Sequence, residues 1–167
     1  MKTTKQLAQC ALLISLALVL SYMERFFPLQ VVIPLPGVKL GLANIVTLVS
    51  LMCLGTRNTF IVVILRCFLG SMFGGGVTGL AFSLTGGVLA VGVMVLAGKI
   101  SCFSIFGISV LGAAAHNIGQ ICAAMLLMQS IYILTYLPWL LLTTLVTGVV
   151  TAIMAAGVLR ILKKLTL

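Results

Sequence analysis

The residues best suited to chemistry sit in one apolar run, Gly112-Ala113-Ala114-Ala115-His116-Asn117-Ile118-Gly119-Gln120, which sets the chain's only histidine beside two amides. On a helix His116 and Gln120 lie one turn apart and Asn117 lies three residues from Gln120, so the imidazole and both amides share a broad face. The small residues ahead of them let another backbone come close. Polar side chains in lipid-buried helices are costly, and they face a cavity, a partner helix or a ligand rather than lipid. Two readings fit: a hydrogen-bond cluster that packs helices, and a ligand site.

Arg66 is the second such group. It lies nine residues beyond Arg57, which places it about 13 Å into the membrane, near the middle of the layer. A guanidinium at that depth needs acceptors. The only carboxylate, Glu24, falls at the outer end of the first helix, too far to reach. That leaves carbonyls, amides, water or an anionic ligand for a functional arginine, with tethering of helices as the alternative. Lys39 and Asn44 open the second helix at the outer face, where a helix N-terminus adds positive potential suited to a carboxylate or phosphate. An interfacial anchor is the plain alternative for Lys39. The candidate ligand-binding set is therefore Lys39, Asn44, Arg66, His116, Asn117 and Gln120. Glu24-Arg25 reads as a surface ion pair of little worth. Thr143, Thr147 and Thr151, at successive turns, read as hydroxyls bonded to their own helix backbone.

Other chemistries are excluded. Aspartate is absent and Glu24 stands alone, so no carboxylate pair can hold the magnesium that phosphoryl or prenyl transfer requires. Cys10, Cys53, Cys67, Cys102 and Cys122 show no metal, haem or redox spacing and read as small buried hydrophobes. The glycines from Gly70 to Gly79 lack the Gly-Lys-Ser/Thr of a phosphate loop, and Gly98-Lys99 lacks the glycine and hydroxyl around it. No metal site, intrinsic cofactor or enzymatic activity is expected.

The elements that position these groups follow from composition. Of 167 residues, 62% are hydrophobic and 7% charged, with a mean hydropathy of +1.36, too little polar surface for a soluble domain. The expected fold is an all-α integral membrane protein, one six-helix transmembrane domain over residues 1–167, since each span needs roughly 20 residues. The apolar run Leu7 to Met23 is long enough to span and carries no cleavage site. On this first helix Ala8, Ala11 and Ser15 form a small-residue stripe suited to packing against a partner helix. Pro28, Pro34, Pro36 and Gly37 make the next stretch a loop or short hairpin. Further helices are expected from Lys39 to about Leu54, Thr59 to about Phe73, Leu80 to Gly98, about Ile108 to Met128, and Leu140 to about Leu162. The glycines at 70–79 form either an outer loop or a close crossing, and Tyr132 to Trp139 an interfacial aromatic turn. Both termini are expected in the cytoplasm of a bacterial cell, because Lys2, Lys5, Arg57, Lys99, Arg160, Lys163 and Lys164 then lie inside against Arg25 and Lys39 outside. The formal charge of +9 is spread between apolar runs, which argues against a nucleic-acid partner.

The pieces Pro36-Gly37-Val38-Lys39-Leu40-Gly41-Leu42-Ala43-Asn44, Arg66 with Gly70, Gly86-Gly87, and Gly112 with His116-Asn117-Ile118-Gly119-Gln120 together resemble the Gx transporter family, also labelled heptaprenyl diphosphate synthase component I. The resemblance covers nearly the whole chain. That family is distantly similar to the substrate-binding S components of energy-coupling-factor transporters, which implies six helices, a ligand bound from outside and a separate energising module. Its members also resemble EetB of flavin-based extracellular electron transfer, which implies a membrane or surface protein partner and a noncovalent quinone or flavin. The synthase label implies an accessory role in polyprenyl diphosphate and menaquinone synthesis. The leading expectation is a non-catalytic subunit that binds a small amphiphilic or anionic ligand in an outward pocket. Of the Ala-x-x-x-Ala docking face typical of S components, the nearest match here is Ala11-x-x-x-Ser15.

Overall fold

The computed structural model describes residues 2–26 and 41–165, and every regular element among them is helical. The long helices are α1 (Lys2–Met23), α2 (Asn44–Gly70), α3 (Gly76–Gly98), α4 (Ile105–Met128) and α5 (Leu137–Leu165). Short 3-10 or π-helical segments at Glu24–Phe26, Ser71–Gly75 and Ile131–Tyr136 end or join them. The proline-rich stretch and Lys39 lie outside the described residues.

Glycines subdivide the apolar stretch from α2 to α3. Within α2, Gly55 takes φ 78° and ψ 175°, a conformation costly for any residue with a Cβ. The chain folds back there. Thr59 Oγ1 donates to Ser50 Oγ at 3.1 Å, whereas nine residues along a straight helix would separate them by about 13 Å. Val46 and Val62 accordingly share one core cluster with Cys10 and Ala17 of α1. A second reversal follows at the π-helical turn Ser71–Gly75, where Gly74 (φ 98°) and Gly76 (φ 61°) take positive φ. The glycine-rich stretch is thus a tight turn between packed helices.

Helix starts also follow local chemistry. Ser104 caps α4 by accepting from the Gly107 amide at 3.4 Å. Pro138 sits in the first turn of α5, where its missing N–H costs no helical bond. The aromatic stretch before it is a short 3-10 helix leading straight into α5. The first half of α2, residues 44–54, covers only about 16 Å, roughly half of a hydrocarbon layer. Its described start is at Asn44, two residues after Leu42, whose amide meets Glu24 at the end of α1.

Packing runs from α1 onto α2, from α2 onto α3 and α5, from α3 onto α4 and from α4 onto α5. The surface is apolar: Leu7, Leu12, Val77, Leu126, Val146 and Ile161 are all exposed. The buried set includes Asn44, Arg66, His116, Asn117 and Gln120. Polar inside and apolar outside is the distribution for a lipid solvent, and four apolar helical stretches are long enough to cross a membrane. This is a helical membrane protein. The stripe Ala8, Ala11 and Ser15 is exposed on α1, where Ser15 Oγ donates to the Ala11 carbonyl at 3.0 Å.

Candidate functional site

The buried polar groups meet at one level, around Gly86-Gly87 of α3. A Cβ on Gly86 would stand 2.9 Å from both Nδ1 and the carbonyl oxygen of His116. A Cβ on Gly87 would stand 2.8 Å from Val63 Cγ1 and 3.3 Å from Arg66 Nη2. Adjacent glycines thus admit an imidazole from α4 and a guanidinium from α2. About one turn further along α4, Gly119 rests on α3, its Cβ position 2.7 Å from the Gly86 Cα. Gly41 completes the layer, with Asn44 Nδ2 at 2.9 Å and His116 Cδ2 at 3.3 Å from its Cβ position.

The amides in this layer hold structure. The Gln120 amide nitrogen lies 3.0 Å from His116 Nε2; with the amide as donor, Nε2 accepts and the ring proton sits on Nδ1. Asn117 Nδ2 donates to the Leu140 carbonyl at 3.0 Å, tying α4 to the start of α5. Ser109 Oγ makes a second tie, donating to the Gly148 carbonyl at 2.7 Å. On α5, Thr143 and Thr147 donate to the carbonyls of Leu140 and Thr143. That is the local bonding expected of the threonine ladder.

Glu24 departs from expectation. Read as half of a surface ion pair, it is 6% exposed and accepts from the backbone N–H of Leu42. The positive end of the short helix at Asn44 thus receives the chain's own carboxylate.

Arg66 has a different environment. Only 6% exposed, it carries no hydrogen-bond partner on Nε or Nη2. It borders a cavity of about 430 Å³ whose wall also includes Tyr22, Met23, Cys67, Phe73 and Ser83. The cavity lies between the end of α1 and the α2–α3 reversal, and its wall is mainly hydrocarbon. Asn44 adds one unpartnered acceptor, Oδ1, beside His116. The structure therefore gathers Asn44, His116 and Gln120 on one flank of Gly86-Gly87 and sets Arg66 on the other, at the cavity. Asn117 faces α5. Cys67 and Ser83 were not foreseen at the cavity; only their places, one beside Arg66 and one three residues before Gly86, hint at it.

A family model for heptaprenyl diphosphate synthase component I matches residues 13–158, a stretch that holds every polar group described above. The chain belongs to that family. No curated protein and no solved structure matches it. In this component I protein the groups gathered here are of kinds that can bind and orient a ligand. A buried guanidinium can grip an anion, hydrocarbon walls can take an apolar tail, and the hydrogen-bonded amides can hold the helices around both.

Proposed function

We propose that this component I protein is a non-catalytic membrane subunit that binds an anionic amphiphile at Arg66 and works beside a separate catalytic subunit of polyprenyl diphosphate synthesis. In this reading the two glycine reversals divide the apolar stretches into six helical segments of a bacterial cell membrane, the second of them a half-span, with both termini in the cytoplasm. Arg57 and Lys99 then sit at cytoplasmic turns.

One observation carries the ligand: Arg66, which forms part of the wall of an apolar cavity, is a buried guanidinium whose Nε and Nη2 have no hydrogen-bond partner in the protein. An isolated charge in hydrocarbon is costly, and an incoming anion offsets that cost while its tail stays in the cavity or the lipid. The family name supports the partner. A component I implies a further component, and only another chain can bring the carboxylates that prenyl transfer needs. S-component-like transport and quinone or flavin handling rest on the sequence resemblance alone, and the family match favours the synthase role.

Substitution of Arg66 tests the reading with a sign. If the guanidinium only tethered helices, Arg66→Met would lower the unfolding temperature of the empty protein. If it waits for a ligand, Arg66→Met leaves that temperature unchanged or raises it, because an unpaired buried charge has been replaced by hydrocarbon. Oleate at about one hundred times its Kd adds about 2.7 kcal/mol to the wild type and nothing to the variant. Equal stabilisation of both proteins contradicts the proposal.

A further inference from the structure

Resting on the amphiphile reading, we infer that the cavity is a cleft open sideways to the bilayer, that one hydrocarbon chain enters it from the lipid between α1 and α3, and that Gly70 keeps room for that chain. The wall is assembled from the end of α1, from Arg66, Cys67 and Gly70 of α2, from Phe73 in the reversal and from Ser83 of α3. Among the described residues α1 packs on α2 and on no other long helix. Helices α1 and α3 thus both wall the cavity without packing on each other, so the cavity occupies a gap between them, and it is open rather than enclosed. Exposure along the wall gives the direction of the opening. Val19, Tyr22, Met23 and Phe73 are 50 to 69% exposed, whereas Arg66, Cys67 and Ser83 are 3 to 8% exposed. The mouth therefore lies at α1 and the reversal, on the lipid-facing surface, and the closed end at the contact of α2 with α3.

The setting fixes the chemistry of the occupant. Water finds few partners on a wall that is mainly hydrocarbon, and an unfilled recess forfeits the dispersion contacts of its lining. A chain from the surrounding lipid restores those contacts without leaving an apolar solvent. The volume of about 430 Å³ is roughly three times the engineered cavity of about 150 Å³ that takes one benzene. It holds a segment of a chain, and the rest of a longer one stays in the bilayer, so the cleft does not select by tail length. Gly70 has ordinary helical dihedrals, φ −62° and ψ −30°, so its backbone does not demand glycine. A Cβ there meets only Leu18 Cδ2, at 3.6 Å, an atom of the same wall. A methyl group fits, and a larger side chain projects into the cleft.

The test locates the chain directly. Palmitic acid carrying a diazirine is bound to the full-length protein in nanodiscs of zwitterionic lipid and photolysed, and the labelled residues are read by mass spectrometry. Label is expected on Leu18, Val19 or Phe73. Lauric acid and the twice-longer nervonic acid, at equal mole fraction in the bilayer, suppress it within about threefold of each other, because carbons beyond the mouth only exchange lipid for lipid. Gly70→Ala keeps the label, and Gly70→Leu lowers it at least about tenfold by occupying the space. The empty Gly70→Leu protein unfolds at the same or a higher temperature, since a recess has been filled. The wild-type competition needs no variant to fold. Rejection of nervonic acid, or full labelling of Gly70→Leu with loss in Arg66→Met, overturns the cleft and leaves the amphiphile reading intact. Equal labelling by the methyl ester of the probe, still lost in Gly70→Leu, keeps the cleft and overturns the anion at Arg66. If the wall is labelled no more than the rest of the lipid-facing surface, as when other residues of the chain fill the recess, both fall.

Discussion

At the scale of the residue, the buried polar groups divide by whether their hydrogen bonds are made within the protein. Asn117 is engaged with the Leu140 carbonyl and Gln120 with His116, so both serve packing. Asn117→Ala is predicted to cost about 1 kcal/mol of stability and to leave amphiphile binding unchanged, measurable as a lower unfolding temperature at an unaltered Kd. Arg66 stands apart because its Nε and Nη2 are buried without a hydrogen-bond partner while the residue forms part of a cavity wall. The sequence made each of these groups visible, since an isolated cation or amide in an apolar run is conspicuous. It did not tell the tied amides from the unpartnered guanidinium, because Asn117 is satisfied by an acceptor 23 residues away. For the same reason Glu24 looked superficial: its partner lies 18 residues downstream, past the prolines.

At the scale of the element, close helix crossings govern the design. Gly119 meets the α3 backbone, with Gly86 Cα, Gly86 N and the Thr85 carbonyl all within 2.8 Å of its Cβ position. Backbone cannot swing aside as a side-chain tip can, so Gly119→Ala is predicted to cost about 1–3 kcal/mol or more by forcing α3 and α4 apart. Gly92, on the same α3, has nothing within 4 Å. There alanine is predicted to add roughly 0.5–1 kcal/mol through helix propensity alone. Paired thermal unfolding of the two variants checks both signs. Apolar runs and charged breaks marked most helices in the sequence to within a few residues. The surroundings of the start of α2 were not legible, because Gly41 beside His116 and Leu42 beside Glu24 are contacts between residues far apart in sequence.

At the scale of the whole molecule, an apolar exterior around a polar middle layer marks a lipid-embedded bundle, and membership of the component I family supports the proposed partnership with a catalytic subunit. Purified in mild detergent from cells that also express the catalytic subunit, the tagged chain is predicted to carry that subunit through size exclusion; separate elution contradicts the partnership. The account depends most on a guanidinium that the protein leaves for something else to satisfy. An experimental structure in native lipid at a resolution that shows headgroups tests this directly. The account predicts non-protein density at the Arg66 guanidinium, continuous with a tail in the cavity at the end of α1. Protein carbonyls or side chains partnering the guanidinium, with no ligand beside it, would contradict it.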